Sequence, residues 1–214
     1  MRWWYERDPN NDQFLASVVV TNPCRWAAAN VTFTVLPLDG QGHEILSAGR
    51  RVQDNFTVGL IMPGQRAAGW TYFTHQESPS EVVSLRIQRD VKLSRTCWVN
   101  PAASGYRTTA RATDIAVGKR DTSRSVTNGQ AEVSFVVTRD PATYALGKRI
   151  VSVIFRDSSG RLLNANGQSI GSDSRYGQRK HFMTWVPVKA DTKRTEVMLE
   201  PEQNNPTSSC MARP

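Results

Sequence analysis

The sequence predicts an all-β fold made of two tandem copies of one β module. Two observations carry this prediction. First, helical periodicity is weak, and short runs rich in Val, Ile, Thr and Phe alternate with Gly, Pro, Asn and Asp along the 214 residues. That pattern is typical of β-sandwiches and β-barrels. Second, the order of strand-like runs and turns in the first half of the chain recurs in the second half, which is the signature of a repeat.

In the first half, the strand-like runs are 14–20, 29–38, 44–52, 56–61, 66–74 and 81–88. Turns between them fall at Thr21-Asn22-Pro23, Asp39-Gly40 and Pro63-Gly64. These residue types favour turns because Gly accepts a positive φ, Pro fixes φ, and Asn and Asp bond to nearby backbone groups. Val31, Phe33 and Val35 alternate with threonines, which is the period of a strand with one face on a core.

In the second half, the strand-like runs are 131–138, 148–155, 161–170, 179–188 and 195–200. An offset of 118 residues places Asn22-Pro23 on Asp140-Pro141, and a later offset of 113 places Gly64-Gln65-Arg66 on Gly177-Gln178-Arg179. The offset changes between turns, where loop length varies at little cost in free energy. The predicted boundaries are a first module over 1–100, a short linker over 101–111 and a second module over 112–214.

The segment VLPLDGQGHEI, residues 35–45, raises the question of a metal or phosphate loop, because an acidic residue stands among glycines. The counterpart of Asp39-Gly40-Gln41-Gly42 is Asp157-Ser158-Ser159-Gly160, in which the first and last residues recur. A binding site would retain its donor groups, whereas a hairpin turn needs only a capping acid and a residue that tolerates a positive φ. We therefore predict that this segment is a hairpin turn.

The order of a strand, VTNP, a strand ending in VLPLDGQG and a later LIMPGQRAAGW resembles the FxLYD-type modules, which are immunoglobulin-like β-sandwiches of bacterial envelope proteins. In that family a strand ending in Leu-Tyr-Asp leads into a Gly turn, and a Pro-Gly-Gln/Glu turn precedes a returning strand. Leu36-Pro37-Leu38-Asp39 stands for the first element here. The second half departs further, with Ile154-Phe155-Arg156-Asp157 at that element and Tyr176 in place of the later Pro.

The resemblance covers most of both halves and implies two tandem immunoglobulin-like β-sandwich modules. It also implies an extracytoplasmic, non-enzymatic interaction protein of the bacterial cell envelope, and the family pattern holds no catalytic residues to carry over. We therefore expect a scaffold or interaction module that binds a protein partner, or another copy of itself, through strand edges and loops. Exposed strand edges invite the addition of a partner strand.

The N-terminal segment 1–12 lacks the apolar core of a signal peptide, and no apolar run reaches the roughly 18 residues of a membrane span. We expect Trp3-Trp4-Tyr5 on an edge strand whose rings cover a core. The alternative is a juxtamembrane segment, because such rings favour the membrane interface. A signal peptide or membrane tether upstream of Met1 would suit the extracytoplasmic expectation, and a cytosolic protein is the alternative.

The net charge of +8 is concentrated in the second half. Residues 1–105 carry 10 basic and 9 acidic side chains, whereas residues 106–214 carry 17 and 10. The candidate polyanion-binding residues are Lys148, Arg149, Arg175, Arg179, Lys180, Lys193 and Arg194. On one basic face they would attract a wall polymer, an anionic lipid or a nucleic acid through long-range attraction and counterion release. The alternative is an ordinary solvated surface.

Motifs of catalysis and of cofactor binding are not found in the sequence. The histidines His43, His75 and His181 form no close pair, as a zinc site would require. The sequence has no Walker A motif, no dinucleotide-binding fingerprint and no G-x-S-x-G elbow. We expect no cofactor, no metal and no enzymatic activity, and a hydrolase with a site between the modules is the enzymatic alternative.

The three cysteines, Cys24, Cys97 and Cys210, have spacings that match no zinc pattern. A disulfide between Cys24 and Cys97 would join the two ends of the first module, and a bridge of this kind contributes about 2–4 kcal/mol. The alternatives are a bridge between Cys97 and Cys210, or three reduced thiols, because free Cys is often buried.

Overall fold

The protein is described here by a computed structural model, which covers residues 2–8, 13–47, 50–51, 53–74, 82–89, 97–100, 111–123, 128–138, 149–170 and 176–199. Over these ranges the chain is all-β, as the sequence predicts, with antiparallel strand pairing throughout and one short 3-10 helix, Thr192–Arg194. No helix in the described part of the chain is long and apolar enough to cross a membrane.

The strands of the first half are β1 Arg2–Asp8, β2 Gln13–Thr21, β3 Ala27–Leu38, β4 Leu46–Ser47, β5 Arg50–Arg51, β6 Asp54–Ile61, β7 Arg66–Thr74, β8 Ser84–Arg89 and β9 Cys97–Val99. Those of the second half are β10 Arg111–Val117, β11 Asn128–Thr138, β12 Arg149–Arg156, β13 Leu162–Ile170, β14 Arg179–Pro187 and β15 Glu196–Leu199. The single strand predicted over 44–52 is wrong, because this segment forms the small β4–β5 hairpin.

The same order of strands appears twice. One sheet of the first half has the order β1-β2-β7 and the other β6-β3-β8, with β9 also pairing β3. The second half repeats this scheme as β10-β11-β14 and β13-β12-β15. Every pairing between the described strands stays within one half. β1 is an edge strand, as the sequence predicts for Trp3-Trp4-Tyr5, although the side chains of β1 lie outside the described part of the chain.

Each half has an apolar core to which both of its sheets contribute. In the first half, Val18 of β2 and Phe33 of β3 share one cluster, and the rings of Phe33 and Phe56 stack at 5.2 Å. In the second half, Phe135 of β11 meets Phe182 of β14 edge-on at 6.2 Å. Val31, Phe33 and Val35 face the core as predicted. The solvent exposure predicted for the opposite face is wrong, because Thr32 and Thr34 are also buried. Burial of these side chains is the main force that holds each pair of sheets together.

The strand register corrects the offset that relates the first core strands of the two halves. Thr21 lies opposite Arg66, and Val136 lies opposite Arg179. With Arg66 and Arg179 equivalent at the shared Gly-Gln-Arg turn, Thr21 corresponds to Val136, which is an offset of 115 rather than 118. Val18 and Val20 then match Val133 and Phe135, and all four are core residues. The offset of 118 matched turn residues, and Asp140 lies outside the described residues.

The Asp39–Gly42 segment is a hairpin turn, as predicted. The Asp39 carboxylate accepts the backbone N–H groups of Gln41 and His43 at 2.9 and 2.8 Å, and Gly42 has a φ of 82°. The second half repeats this turn, because Asp157 accepts the N–H groups of Ser159 and Arg161, both at 2.9 Å. Its glycine, Gly160, has a φ of 85°. The acid and the final glycine recur because the turn needs a cap and a left-handed residue.

The two halves share a third core, formed by the outer face of the β1-β2-β7 sheet and the outer face of the β13-β12-β15 sheet. Its members are Val19 and Ala68 from the first half and Ile154, Leu162 and Ala165 from the second. Trp70 of β7 lies against Gly167 of β13 so closely that a Cβ on Gly167 would overlap the indole ring. Close packing of this kind resists rearrangement, so the interface favours one fixed arrangement of the two halves.

Buried polar groups fix the register of this interface. Ser17 and Asn164 are both fully buried, and the Ser17 hydroxyl donates to Oδ1 of Asn164 at 3.0 Å. The same hydroxyl accepts the N–H of Ala165 at 3.0 Å. At the rim, Glu196 of β15 binds Arg66 of the first half at 2.7 Å and Arg156 at 2.6 Å. Because an unpaired buried polar group is costly, a shift of either half would lose these bonds.

Candidate functional site

The candidate polyanion-binding residues fall into separate places. Lys148 and Arg175 lie outside the described residues, and Arg149 opens β12 without a described side chain. Arg179 and Lys180 begin β14, whereas Lys193 and Arg194 belong to the 3-10 helix beyond the other end of that strand.

The length of β14 separates these two pairs. The strand has nine residues and a rise of about 3.3 Å per residue, so its ends lie roughly 26 Å apart. The 3-10 helix is held at the far end, where Ala190 N–H donates to the carbonyl of Pro187 and Asp191 N–H to that of Arg156. Arg179 and Lys180 therefore form one group and Lys193 and Arg194 another, at opposite ends of the second half rather than on the single basic face that the sequence predicts.

Along the edge strand β14, every second residue directs its backbone N–H and C=O groups away from the neighbouring strand β11. The carbonyl of Gln130 accepts the Asp121 N–H, and that of Glu132 accepts the Gly118 N–H, both at 2.8 Å. These two β11 residues therefore direct their backbone groups away from β14, toward the β10 side of the sheet.

Met183 lies opposite Glu132 in the register, and Trp185 lies opposite Gln130. Because backbone direction alternates along an antiparallel strand, the N–H and C=O groups of Arg179, His181 and Met183 face the open side of β14. No described strand pairs with β14 on that side. At the end of this edge, the side chain of Asn166 donates to the Trp185 carbonyl at 2.9 Å.

The same three residues present exposed side chains on the outer face of the sheet. Arg179 and His181 are exposed, and Met183 is 59% exposed, a large fraction for an apolar side chain. Arg179 is oriented by bonds to the Asp114 carbonyl at 3.1 Å and to the Ser134 hydroxyl at 3.2 Å. Within the described part of the chain, the edge thus offers backbone groups without a strand partner next to a cation and an apolar side chain.

The equivalent edge in the first half is covered by the second half of the chain. By the offset of 113, Ala68 and Trp70 of β7 correspond to His181 and Met183 of β14. The Ala68 carbonyl accepts the Ser152 hydroxyl at 3.3 Å, and Trp70 packs on Gly167. One copy of this edge is therefore a docking surface within the chain, and no described strand pairs with the other copy. Sequence reasoning missed this difference because it depends on which sheet faces meet.

The described histidines do not belong to any cluster of metal-ligating side chains within the described residues. His43 is in the hairpin turn with Nδ1 at 3.5 Å from Oδ2 of Asp39, His181 is on the open face of β14, and His75 lies outside the described residues. Among the described residues, no three His, Cys, Asp or Glu side chains form a group that could hold a metal ion.

The cysteine pairing stays a prediction. Cys24 is exposed and carries a free thiol in the structure. Cys97 begins β9 opposite Ala29, but its side chain and the whole of Cys210 lie outside the described part of the chain.

Comparison with known protein families and with curated proteins found no match to this chain. The class that the structure itself defines is an all-β protein with two halves of the same strand order.

Proposed function

We propose that the chain is a pair of tandem immunoglobulin-like β-sandwich modules that bind a protein partner by adding its strand to the open edge of β14. The repeated strand order and the core shared by both sheets of each half support the two sandwiches. The extracytoplasmic, non-enzymatic role and membership of the FxLYD-type modules rest on the sequence motifs alone.

The observation that carries this function is the open side of β14, where the backbone groups of Arg179, His181 and Met183 face away from β11. In strand addition, main-chain hydrogen bonds supply affinity, and pockets for alternate side chains supply specificity. The basic groups of Arg179 and Lys180 favour an acidic residue at one end of the added strand, and Met183 favours an apolar residue farther along.

A displayed library of short peptides tests this function. We expect selected binders to combine acidic and apolar residues and to slow the hydrogen exchange of the His181 and Met183 amides, while the amides of Lys180 and Phe182 are already protected by β11. His181→Pro removes an outward N–H without removing a bond to β11, so it should abolish binding, whereas His181→Ala should retain it. Binders that protect a different surface, or that tolerate His181→Pro, would refute the proposal.

A further inference from the structure

A cavity of about 250 Å³ opens between the two sheets of the first half. Its apolar walls are the buried side chains of Val20, Ala28, Val31, Phe33 and Ile61. Protein cores are close-packed, and unfilled space in them is destabilising. An apolar cavity of about 150 Å³ can accept benzene, so the present one has room for a larger apolar group.

The second half carries a larger side chain at the core position equivalent to Val20. Val20 of β2 lies opposite Ala67, and Phe135 of β11 lies opposite Lys180, the equivalent position. Phe135 is fully buried and packs edge-on against Phe182. The first half carries the smaller Val20 at this core position. The Val20 side chain therefore leaves unfilled the space that a phenyl ring would occupy.

The rim of the cavity adds a positive charge to the apolar walls. Arg89, at the end of β8, is exposed and lies with its guanidinium carbon 6.0 Å from the centre of the Trp98 ring. Asn22, also at the rim, is already bonded: its amide donates to the carbonyls of Trp26 and Ile61, and its Oδ1 accepts the Cys24 N–H. Among the described lining residues, Arg89 is the only charged group.

We propose that this cavity binds a small carboxylic acid with an unbranched hydrocarbon chain. The hydrocarbon chain of the ligand lies between the two sheets, and its carboxylate binds Arg89. The described walls offer the hydrocarbon chain of the ligand no polar partner other than the groups at the rim. A guanidinium binds a carboxylate through paired hydrogen bonds. The site is separate from the edge of β14, so it does not depend on the proposed protein-binding function.

Calorimetric titration with hexanoate, octanoate and octanol tests the site. Each added methylene should tighten binding roughly fourfold while it is buried, and octanol should bind about tenfold more weakly than octanoate because it lacks the charge. Arg89→Gln should remove the preference for octanoate over octanol. The absence of saturable binding for all three compounds would overturn the proposal.

A substitution that fills the cavity provides a matched variant for these titrations. Val20→Phe places in the first half the side chain that the second half holds at the same position, and it should weaken octanoate binding at least tenfold in a protein that keeps its circular dichroism spectrum. If Val20→Phe does not fold, Ala28→Leu fills the cavity from the opposite sheet. A folded filling variant that binds octanoate as tightly as the parent would overturn the proposal.

The thiol of Cys24 gives a readout at the rim. Cys24 is exposed and lines the opening, so under reducing conditions octanoate should slow its modification by a thiol reagent, with the site of labelling established by peptide mass mapping. Equal labelling rates at saturating octanoate would contradict the proposed location.

Discussion

Trp70 of β7 packs its indole directly on the backbone of Gly167 in β13, and this contact joins the two halves of the chain. A side chain at position 167 cannot fit there without movement of the ring. Around this contact lie the shared apolar cluster and the buried bonds of Ser17. The two halves are thus held as one packed unit, and the exposed edge of β14 keeps its place relative to the first half.

Gly167→Ala should destabilise the protein by about 1–3 kcal/mol, because the added methyl group overpacks the interface. The matched control is Gly118→Ala, since a Cβ at Gly118 meets nothing closer than 3.5 Å. Thermal unfolding followed by circular dichroism measures both. An unchanged melting temperature for Gly167→Ala would contradict the contact between Trp70 and Gly167.

Glu196→Gln should lower the free energy of unfolding by about 1–3 kcal/mol, because it leaves Arg156, whose side chain is 8% exposed, without its anionic partner. The loss is limited because the Glu196 side chain is 31% exposed and partly screened by solvent. Glu44→Gln breaks a more exposed pair with Arg86 and should cost at most about 1 kcal/mol. Chemical denaturation at two salt concentrations separates the two variants, and equal losses would contradict the pairing of Glu196 with a buried Arg156.

Asp39 and Asp157, the capping acids of the two hairpin turns, should stabilise the fold at pH values above the ordinary pKa of an Asp carboxyl group. Hydrogen bonds, chiefly from the His43 backbone, lower the pKa of Asp39 below its ordinary value of 3.8. For Asp157 the Ser159 hydroxyl is the main cause of a lowered pKa. Since both pKa values are depressed on folding, the stabilisation is present above pH 3.8 and is lost as pH falls through the folded-state values.

Carbon-detected NMR titration measures these carboxyl groups directly. Both midpoints should lie below 3.8, and Ser159→Ala should move the midpoint of Asp157 upward while that of Asp39 stays unchanged. A midpoint at or above 3.8 for either group would contradict the turn geometry.

Binding of long polyphosphate should show that the pair Arg179 and Lys180 and the pair Lys193 and Arg194 contribute separately. Because β14 separates them, reversing the charges of Arg179 and Lys180, or of Lys193 and Arg194, should each reduce the salt dependence of binding, by roughly one unit of slope per residue that contacts phosphate. The two losses should be additive, since distant sites act independently. If polyphosphate does not bind at low salt, the predicted polyanion-binding role fails.

Local sequence patterns predicted the parts of the fold that local chemistry controls. The turn at Asp39 and its copy at Asp157 follow from a capping acid and a glycine that can adopt a positive φ. The alternation in β3 follows from the period of a strand. β10 was not recognised, because its sequence RATDIAV is irregular: the register shifts between Thr113 and Ala116, and Asp114 has a φ of 50°.

The sequence by itself determined the all-β class, the recurrence of strand order and the hairpin turns, since each depends on the conformational preferences of neighbouring residues. Only the tertiary structure decided which sheet faces meet, and therefore that Ala68 is covered while the equivalent His181 lies on an open edge. It also decided that Val20 borders a cavity where Phe135 fills a core. These differences arise between residues far apart in the chain, where burial and packing, rather than local pattern, decide what each side chain contacts.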